Sequence, residues 1–296
     1  MSNPRVGIIG GSGLGDALCQ GDSGKAVSMD TPFGPPSNQI IETQWCGRDV
    51  VILNRHGQGH MLNPTQVNYR ANMYALKALG CTHVIASGAV GSLQEHIAPK
   101  DLVIPDQIID KTARREPTFF DGMAVHVEFA SPFCPVLRQH LLNCADAVET
   151  TMHDGGTYVC MEGPAFSTRA ESELHRSWGA SLIGMTAMPE AKLAREAELP
   201  YALVCLPSDY DCWRPVPADL DKHELLKEII GNLTEATANA VTLIKVAIER
   251  FAEIADTPAP AHSAMEMGIW SDRDTIPQAL WTHYGVLLEK FRPTSD

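Results

Sequence analysis

Short apolar runs alternate with longer amphipathic segments along the chain, which is the pattern of an α/β protein. The apolar runs are rich in Val, Ile and Leu, as strands buried on both faces of a sheet tend to be. They predict strands over Val6–Ile9, Val50–Leu53, Val84–Ser87, Leu102–Ile104, Tyr158–Met161, Leu182–Met185 and Tyr201–Leu206. The amphipathic segments predict helices over Gln66–Leu79, Pro135–Ala147, Thr168–Trp178, Pro189–Ala197 and Asp219–Phe251.

The C-terminal part of the chain has a different pattern. The stretch Thr257-Pro-Ala-Pro-Ala-His-Ser is typical of a linker, because prolines alternate there with small residues. It leads to a segment with several aromatic residues, from Trp270 to Phe291, which we expect to pack on the body of the protein or on a neighbouring subunit. We therefore expect one main domain over residues 1–256 and a linker with a C-terminal arm over residues 257–296.

Composition narrows the class of protein. Hydrophobic residues make up 44% of the chain and charged residues 20%, as in globular proteins. Acidic residues outnumber basic ones by 36 to 23, so the formal net charge of −13 disfavours nucleic acid and anionic membranes as partners. A locally basic pocket can still bind a small anion. No run approaches the roughly 20 apolar residues of a membrane span, and Val6–Ile9 is too short for a signal peptide core.

The cysteines indicate a reducing compartment. The eight cysteines are scattered and none forms a C-x-x-C pair. Disulfide frameworks belong mainly to small secreted domains, so free thiols in a cytoplasmic protein are the better interpretation. The same spacing argues against a zinc site, and we expect no metal.

A glycine-rich loop follows the first predicted strand. In Gly10-Gly11-Ser12-Gly13-Leu14-Gly15 the glycines would let backbone N–H groups approach an anion, and Ser12 adds a hydroxyl. The glycine spacing does not match the dinucleotide fingerprint, and no Gly-Lys-Ser/Thr follows as in a Walker A loop. This disfavours a dinucleotide-dependent oxidoreductase. Taken alone, the loop is equally typical of a tight turn.

Other predicted strands also end in residues that suit an anion. Arg55 and His56 follow the strand Val50–Leu53, and an arginine presents a planar set of donors that fits phosphate. The run Gly88–Ser92 predicts a second backbone-exposing loop, and Thr186 follows a further strand. Because ligands bind at the carboxyl ends of strands in open α/β sheets, these residues together predict an anion pocket.

A second group of residues suits a flat, polar ring. Asp209 and Asp211 follow the strand Tyr201–Leu206, and two carboxylates there could hold the amino group and N7 of a 6-aminopurine. A solvated acidic turn is the plainer alternative; a metal-ligand pair has no nearby histidine cluster to support it. Phe166 could form a wall against the ring. The polar residues around Thr168 are also explained by helix capping, because Thr168 and Glu171 have the spacing of a capping box.

In combination these segments resemble the 5'-methylthioadenosine phosphorylases of the trimeric purine nucleoside phosphorylase superfamily. The resemblance covers about residues 6 to 250. It rests on Gly7-Ile-Ile-Gly-Gly-Ser-Gly-Leu14, Asn54-Arg-His-Gly57, Val67-Asn-Tyr-Arg-Ala-Asn72, Gly80-Cys-Thr-His-Val84, Glu162-Gly-Pro164, Phe166-Ser167, Met185-Thr186 and Ser208-Asp-Tyr-Asp-Cys-Trp213. It implies a three-layer α/β/α subunit with a central mixed, partly barrel-like sheet, a nucleoside phosphorylase catalytic domain over residues 1–256, and a homotrimer with sites near subunit interfaces.

The resemblance also implies roles for individual residues. Phosphate would be bound by Ser12, Arg55, His56, Ala89 and Thr186. The nucleoside would be contacted by Phe166, Ser167 and Met185, and adenine would be recognised by Ser208, Asp209 and Asp211. The 5'-thioether pocket would receive His126 from the neighbouring subunit, together with Leu225 and, as a weaker candidate, Leu287.

The implied reaction is phosphorolysis of 5'-methylthioadenosine to adenine and 5-methylthioribose 1-phosphate, with phosphate as co-substrate and no cofactor. Asp209 would share or donate a proton to N7, and Asp211 would hold N6. Alternatives are a phosphorylase for adenosine, inosine or methylthioinosine, and a catalytically silent nucleotide-binding protein.

The sequence departs from the family pattern in three places. Gly88 stands where some relatives carry a phosphate-binding threonine, so we expect a backbone N–H or a water to take the place of that hydroxyl, with weaker phosphate binding. The stretch Arg214–Ala218 lacks an acidic run, and the arm beyond residue 257 is longer.

Overall fold

The apolar runs of the sequence form the central strands of one mixed sheet. The computed structural model describes residues 4–11, 14, 24–215 and 221–293. Within these residues the sheet has eleven strands, in the order β2-β3-β4-β1-β5-β10-β9-β7, with β11 against β5 and β6, and β8 against β6. The strands are β1 Arg5–Gly10, β2 Lys25–Val27, β3 Ile40–Trp45, β4 Arg48–Asn54, β5 Cys81–Ser92, β6 Leu102–Ile104, β7 Gln107–Lys111, β8 Met152–Asp154, β9 Thr157–Met161, β10 Leu182–Gly184 and β11 Tyr201–Asp209.

Helices cover both faces of the sheet. They are α1 Tyr69–Ala78, α2 Pro135–Leu142, α3 Arg169–Ser177, α4 Ala187–Glu196, α5 Lys222–Glu249 and α6 Gln278–Tyr284. Short 3-10 turns occur at Gln58–His60, Ala145–Ala147, Arg250–Glu253, Pro260–Ser263, Arg273–Thr275, Gly285–Leu287 and Glu289–Phe291. Side chains alternate between the two faces of a strand: Ile9 joins a core with α1 and α4, whereas Ile8 joins a second core with α2 and α5. The expected α/β class with a mixed sheet is confirmed.

The strand β5 organises the sheet. Along its first half it lies between β1 and β11, parallel to both. Its last residues pair with β10, antiparallel, while β11 continues on the other side. The prediction of a loop over Gly88–Ser92 is therefore wrong, because this backbone belongs to β5: residues 88–91 pair with β11, and Gly91 and Ser92 pair with β10. Gly88 lies opposite Cys205, and Gly91 lies opposite Asp209.

The remaining differences have local causes. The strands β2, β3, β7 and β8 were missed because they carry polar or half-exposed residues and lack a long apolar run. The first helix begins at Tyr69 and not at Gln66, because Asn68 caps it by accepting a hydrogen bond from Ala71 N–H. The second ends at Leu142 and is followed by a separate 3-10 turn. The long helix begins at Lys222, capped by Asp221.

The C-terminal arm packs on its own chain. Trp281, Tyr284 and Leu287 are buried in the core that contains α1 and α4. The Tyr284 hydroxyl donates to the Asp121 carbonyl and accepts from its N–H, both at 2.6 Å. Trp270, by contrast, is 71% exposed. Of the described helices, none is both long and apolar enough to cross a membrane.

Candidate active site

The carboxyl ends of β1 and β4 lie beside the middle of β5, and there three predicted anion-binding segments meet. Gly10 and Asn54 lie opposite each other at the carboxyl ends of β1 and β4. Gly11 N–H donates to Ser87 Oγ at 3.3 Å, and Arg55 Nη1 donates to the Ser87 carbonyl at 2.9 Å. A β-carbon placed on Gly11 would lie 2.6 Å from that carbonyl, so a side chain is excluded at this crossing. Ser12 lies outside the described residues.

Arg55 is held by a carboxylate that the sequence analysis did not single out. Its guanidinium is fully buried, and Nε and Nη2 donate to the two oxygens of Glu190 at 2.7 and 2.8 Å. The Tyr201 hydroxyl also donates to Glu190, at 2.8 Å. Although burial alone would lower it, the charge of Glu190 raises the pKa of Arg55 above its ordinary value. Arg55 is therefore a fixed cation beside Gly11.

His56 follows Arg55 and is neutral near pH 7. Burial, reinforced by the charge of Arg55, lowers the pKa of His56 to about 4. Its Nδ1 lies 2.8 Å from the Leu62 carbonyl, so the ring proton is on Nδ1 and Nε2 is left as an acceptor. The ring stacks on His60 with centroids 4.2 Å apart. In this state His56 can accept a hydrogen bond through Nε2 from an oxygen that carries a proton.

Thr186 follows β10, the strand that pairs with the last residues of β5. It precedes α4 and is largely buried. A β-carbon placed on Gly88 would lie 3.6 Å from Thr186 Oγ1, which brings Thr186 next to the segment that approaches Arg55. Ala89 is half-buried on β5 and pairs with Leu206. Of the five expected phosphate ligands, the structure thus places Arg55 beside Ser87 of β5 and Thr186 near Gly88 of the same strand. His56 follows Arg55 in the chain, and Ala89 follows Gly88.

The Met185 segment is fixed by a buried arginine. Arg115 Nη1 donates to the carbonyls of Met185 and Met188, and Nη2 donates to the Glu162 carbonyl. The Glu162 carboxylate accepts from Arg115 Nε at 3.2 Å and from Thr65 Oγ1 at 2.6 Å. Although burial acts to raise it, these and backbone hydrogen bonds lower the pKa of Glu162 to about 2. The turn after β9 and the start of α4 are therefore joined.

The two predicted aspartates lie at the end of β11. The Ser208 hydroxyl donates to Asp209 Oδ1 at 2.7 Å, and the backbone N–H of Asp211 donates to Asp209 Oδ2 at 2.9 Å. The Ser208 carbonyl accepts from Asn232 of α5 at 3.0 Å. Burial raises the pKa of Asp209, and the nearby charge of Asp211 raises it further. A carboxyl with a raised pKa is suited to donating a proton.

The loop before α3 lies against the turn that contains Asp209 and Asp211. The Cys212 thiol lies 3.3 Å from the Ser167 carbonyl, so Ser167 is brought beside the aspartates. Phe166 is 85% exposed. Its side chain is available to a ligand or a partner but is not packed on the described body.

Three expected pocket residues are not assembled with the others. His126 is exposed and contacts the arm: its N–H donates to the Gly268 carbonyl at 2.8 Å, and its ring lies 4.8 Å from that of Trp270. Leu225 is half-buried in the first turn of α5. Leu287 is buried in the core with the arm.

Comparison with known proteins identifies this arrangement. The model of the phosphorylase superfamily matches residues 5–249. The chain belongs to the phosphorylase superfamily. Within it, the chain is 46% identical to the S-methyl-5'-thioadenosine phosphorylase of Synechocystis. The alignment is 301 positions long and covers 99% of this chain and 89% of that protein. It is 44% identical to the S-methyl-5'-thioadenosine phosphorylase of Gloeobacter violaceus over 98% of both chains.

A solved phosphorylase structure has the same fold. The crystal structure of a methylthioadenosine phosphorylase from an Antarctic soil metagenomic library superimposes with a TM-score of 0.87, at 43% identity, over 97% of this chain and 99% of that one. The resemblance expected from the sequence motifs is therefore confirmed, and the S-methyl-5'-thioadenosine phosphorylases are the family to which the chain belongs.

Proposed function

We propose that this protein cleaves 5'-methylthioadenosine with inorganic phosphate to give adenine and 5-methylthioribose 1-phosphate. Identities of about 45% to S-methyl-5'-thioadenosine phosphorylases over nearly the whole chain support this reaction. The single structural observation that carries it is that two groups lie along the same strand, β5. Arg55 donates to the carbonyl of Ser87, and Asp209, whose pKa is raised by burial, lies opposite Gly91. The first suits the attacking anion and the second suits the departing base.

The chemistry needs charge of both signs to be stabilised. As the glycosidic bond breaks, the sugar carbon becomes cation-like and the purine becomes anionic, as in glycoside hydrolysis. Arg55, Thr186 and His56 hold phosphate beneath the sugar, and Asp209 donates or shares a proton with N7. Asp211 accepts from the 6-amino group. Because the groups are fixed before substrate arrives, positioning supplies much of the rate.

We propose further that the active form is a cytoplasmic homotrimer in which His126 serves a neighbouring site. Two observations support the assembly: His126 is exposed, and the apolar side chains of Met267 and Trp270 near it are 85% and 71% exposed. The seven cysteines in the described part of the chain are free thiols, which supports a reducing compartment. Residues 1–256 would form the catalytic domain, and the arm would hold the His126 segment.

The test is adenine release measured with and without phosphate. Purified protein is incubated with 5'-methylthioadenosine, adenosine, inosine or methylthioinosine, and the freed base is separated by chromatography. We expect cleavage to depend on phosphate and to be fastest with 5'-methylthioadenosine. Equal release without phosphate would overturn the phosphorolysis, and a preference for 6-oxopurines would overturn the assignment of the base. Sedimentation of the same sample reports the assembly.

A further inference from the structure

Ser172 is a buried hydroxyl that contacts the base-recognising turn from another element. It lies on α3, is fully buried, and donates from Oγ to Asp211 Oδ2 at 2.5 Å. The two residues are 39 positions apart in the chain. A terminal carboxylate torsion is soft, so a hydrogen bond to one oxygen fixes the direction in which the other oxygen points.

The position of Asp211 also affects Asp209, because the two residues are joined by a hydrogen bond from the Asp211 backbone. Asp211 has φ 51, in the left-handed region that aspartate tolerates better than most residues. In that conformation its N–H donates to Asp209 Oδ2 at 2.9 Å. A β-carbon on Gly91 would lie 3.1 Å from the Asp211 Cβ, so the space around the turn is also limited from β5. A shift of Asp211 would therefore change the environment of both carboxylates.

The helix that carries Ser172 is itself anchored to the turn. Its first turn is closed by a capping box between Thr168 and Glu171. One turn beyond Ser172, the Arg176 guanidinium lies 3.5 Å above the Trp213 ring, and Trp213 Nε1 donates to the Ser92 carbonyl at 2.8 Å. The helix and the turn thus contact each other at two points one helical turn apart.

We propose that Ser172 is a positioning residue that sets the preference of the site for a 6-aminopurine, an inference that rests on the proposed phosphorolysis. With Oδ2 held by Ser172, Asp211 presents Oδ1 as an acceptor in a fixed direction. An amino group donates to such an oxygen, whereas the keto oxygen of a 6-oxopurine is repelled by it. Ser172 does not contact the base; it acts through Asp211.

The experiment compares Ser172→Ala with Ser177→Ala by steady-state kinetics on 5'-methylthioadenosine and methylthioinosine. Ser177 lies on the same helix but is exposed, and its hydroxyl donates to the Leu174 carbonyl. We expect Ser172→Ala to lower kcat/KM for 5'-methylthioadenosine by about 10-fold or more, the scale of a lost hydrogen bond to a charged group. Most of the change should be in the nucleoside KM, and the phosphate KM and the methylthioinosine rate should stay within about twofold.

A double-variant cycle separates positioning from a general structural role. On an Asp211→Asn background, Ser172→Ala should add less than about twofold, because the interaction that it removes is already altered. Ser172→Cys, which fills the space with a weaker donor, gives an intermediate loss and serves in place of Ser172→Ala if the latter does not fold. The proposal is overturned if Ser172→Ala behaves like Ser177→Ala, or if its loss is equal for both nucleosides and persists with Asn at 211. Absence of phosphate-dependent cleavage in the unmodified protein would instead overturn the proposed function.

Discussion

Arg55 and Glu190 form a bidentate ion pair sealed from solvent. Arg55 Nε and Nη2 donate to the two Glu190 oxygens at 2.7 and 2.8 Å, and both side chains are at most 2% exposed. A guanidinium has five N–H groups, and three of those in Arg55 are used by Glu190 and Ser87 within the described residues. The other two have no partner among the described residues, which suits the phosphate site that we propose beside Gly11. The carboxylate therefore neutralises the arginine without occupying all of its donors.

Removing only one partner of this ion pair should lower the free energy of unfolding more than replacing both partners. We expect Glu190→Leu to lower the free energy of unfolding by about 3–5 kcal/mol, because a buried guanidinium is left unpaired. The double variant Arg55→Met/Glu190→Leu should recover most of that loss but should lack phosphate-dependent turnover. Urea unfolding and the adenine-release assay measure the two effects. A double variant with the original phosphate KM would contradict a role for Arg55 in binding phosphate.

Asp209→Asn tests the proton donor. The amide can accept from the Asp211 N–H and donate to the Ser208 hydroxyl, so the turn keeps its hydrogen bonds while losing the acid. We expect turnover of 5'-methylthioadenosine to fall by about 100-fold or more. Activity on 6-oxopurine nucleosides should rise, because an amide can donate to O6. Unchanged kinetics on both kinds of nucleoside would remove this assignment.

The substitution Gly163→Ala tests whether Met185 lines the site. A β-carbon there would lie 2.5 Å from the Met185 sulfur, and its φ of 69 is in the left-handed region. Gly179 is a matched control, because its φ is 77 but a β-carbon would meet nothing within 4 Å. Both alanine variants should lose stability, by about 1–2 kcal/mol. Only Gly163→Ala should lower kcat/KM for the nucleoside, by about 10- to 100-fold, since a small displacement of a contact residue has effects of that size. Equal activities of the two variants would show that Met185 does not line the site.

Sequence patterns could predict two parts of the candidate site because those residues follow buried strands. The segments at Arg55 and Asp209 come directly after apolar runs, so their place at the sheet edge could be predicted from local pattern. The partners that orient them could not. Glu190 is 135 positions from Arg55, and Ser172 is 39 positions from Asp211. Only the folded sheet brings each pair together.

The sequence analysis did not single out Glu190 or Arg115, because the sequence around each residue gives only a weak indication of its role. Glu190 follows Met188-Pro189 in a segment where the neighbouring residues are apolar, and a carboxylate there requires a buried cation. Arg115 stands next to Arg114 in a polar loop, where a surface arginine is the ordinary expectation. The loop predicted over Gly88–Ser92 failed for a related reason. Its glycines indicated exposed backbone, but residues 88–91 pair with β11, and Gly91 and Ser92 pair with β10.

Gly88→Thr should strengthen phosphate binding. A β-carbon at Gly88 would lie at an ordinary contact distance of 3.6 Å from Thr186 Oγ1, and no other atom of the described residues comes closer, so this backbone can accept a side chain. The added hydroxyl would supply a donor beside Thr186. We expect the phosphate KM to fall by about 10-fold, the value of one hydrogen bond to a charged group. Gly88→Ala adds the carbon without the hydroxyl and should leave the KM within about twofold. If both substitutions have the same effect, the hydroxyl is not responsible.

Glu196 gives the fold a pH dependence of known sign. Its carboxylate accepts from Thr118 Oγ1 at 2.7 Å and from Phe119 N–H at 2.8 Å, but burial raises the pKa of Glu196 from 4.5 to about 7. The folded state therefore holds this proton more tightly than the unfolded state does. The resulting stability is fully present below pH 4.5 and is lost as the pH rises through 7. His83 acts in the opposite direction, because burial lowers its pKa to about 4, and its contribution is lost as the pH falls below 6.5.

The variant Glu196→Gln separates the pH dependence that is due to Glu196 from that due to His83. The amide cannot ionise, so the difference in unfolding free energy between the original protein and the variant should change by on the order of 1–3 kcal/mol between pH 5 and pH 8, in favour of the variant at the higher pH. His83 is present in both proteins and cancels in that difference. Glu149→Gln, the same exchange at an exposed position, serves as the control. Urea unfolding at a series of pH values measures it. A difference that is constant with pH, or that favours the variant at pH 5, would show that Glu196 does not titrate in this range.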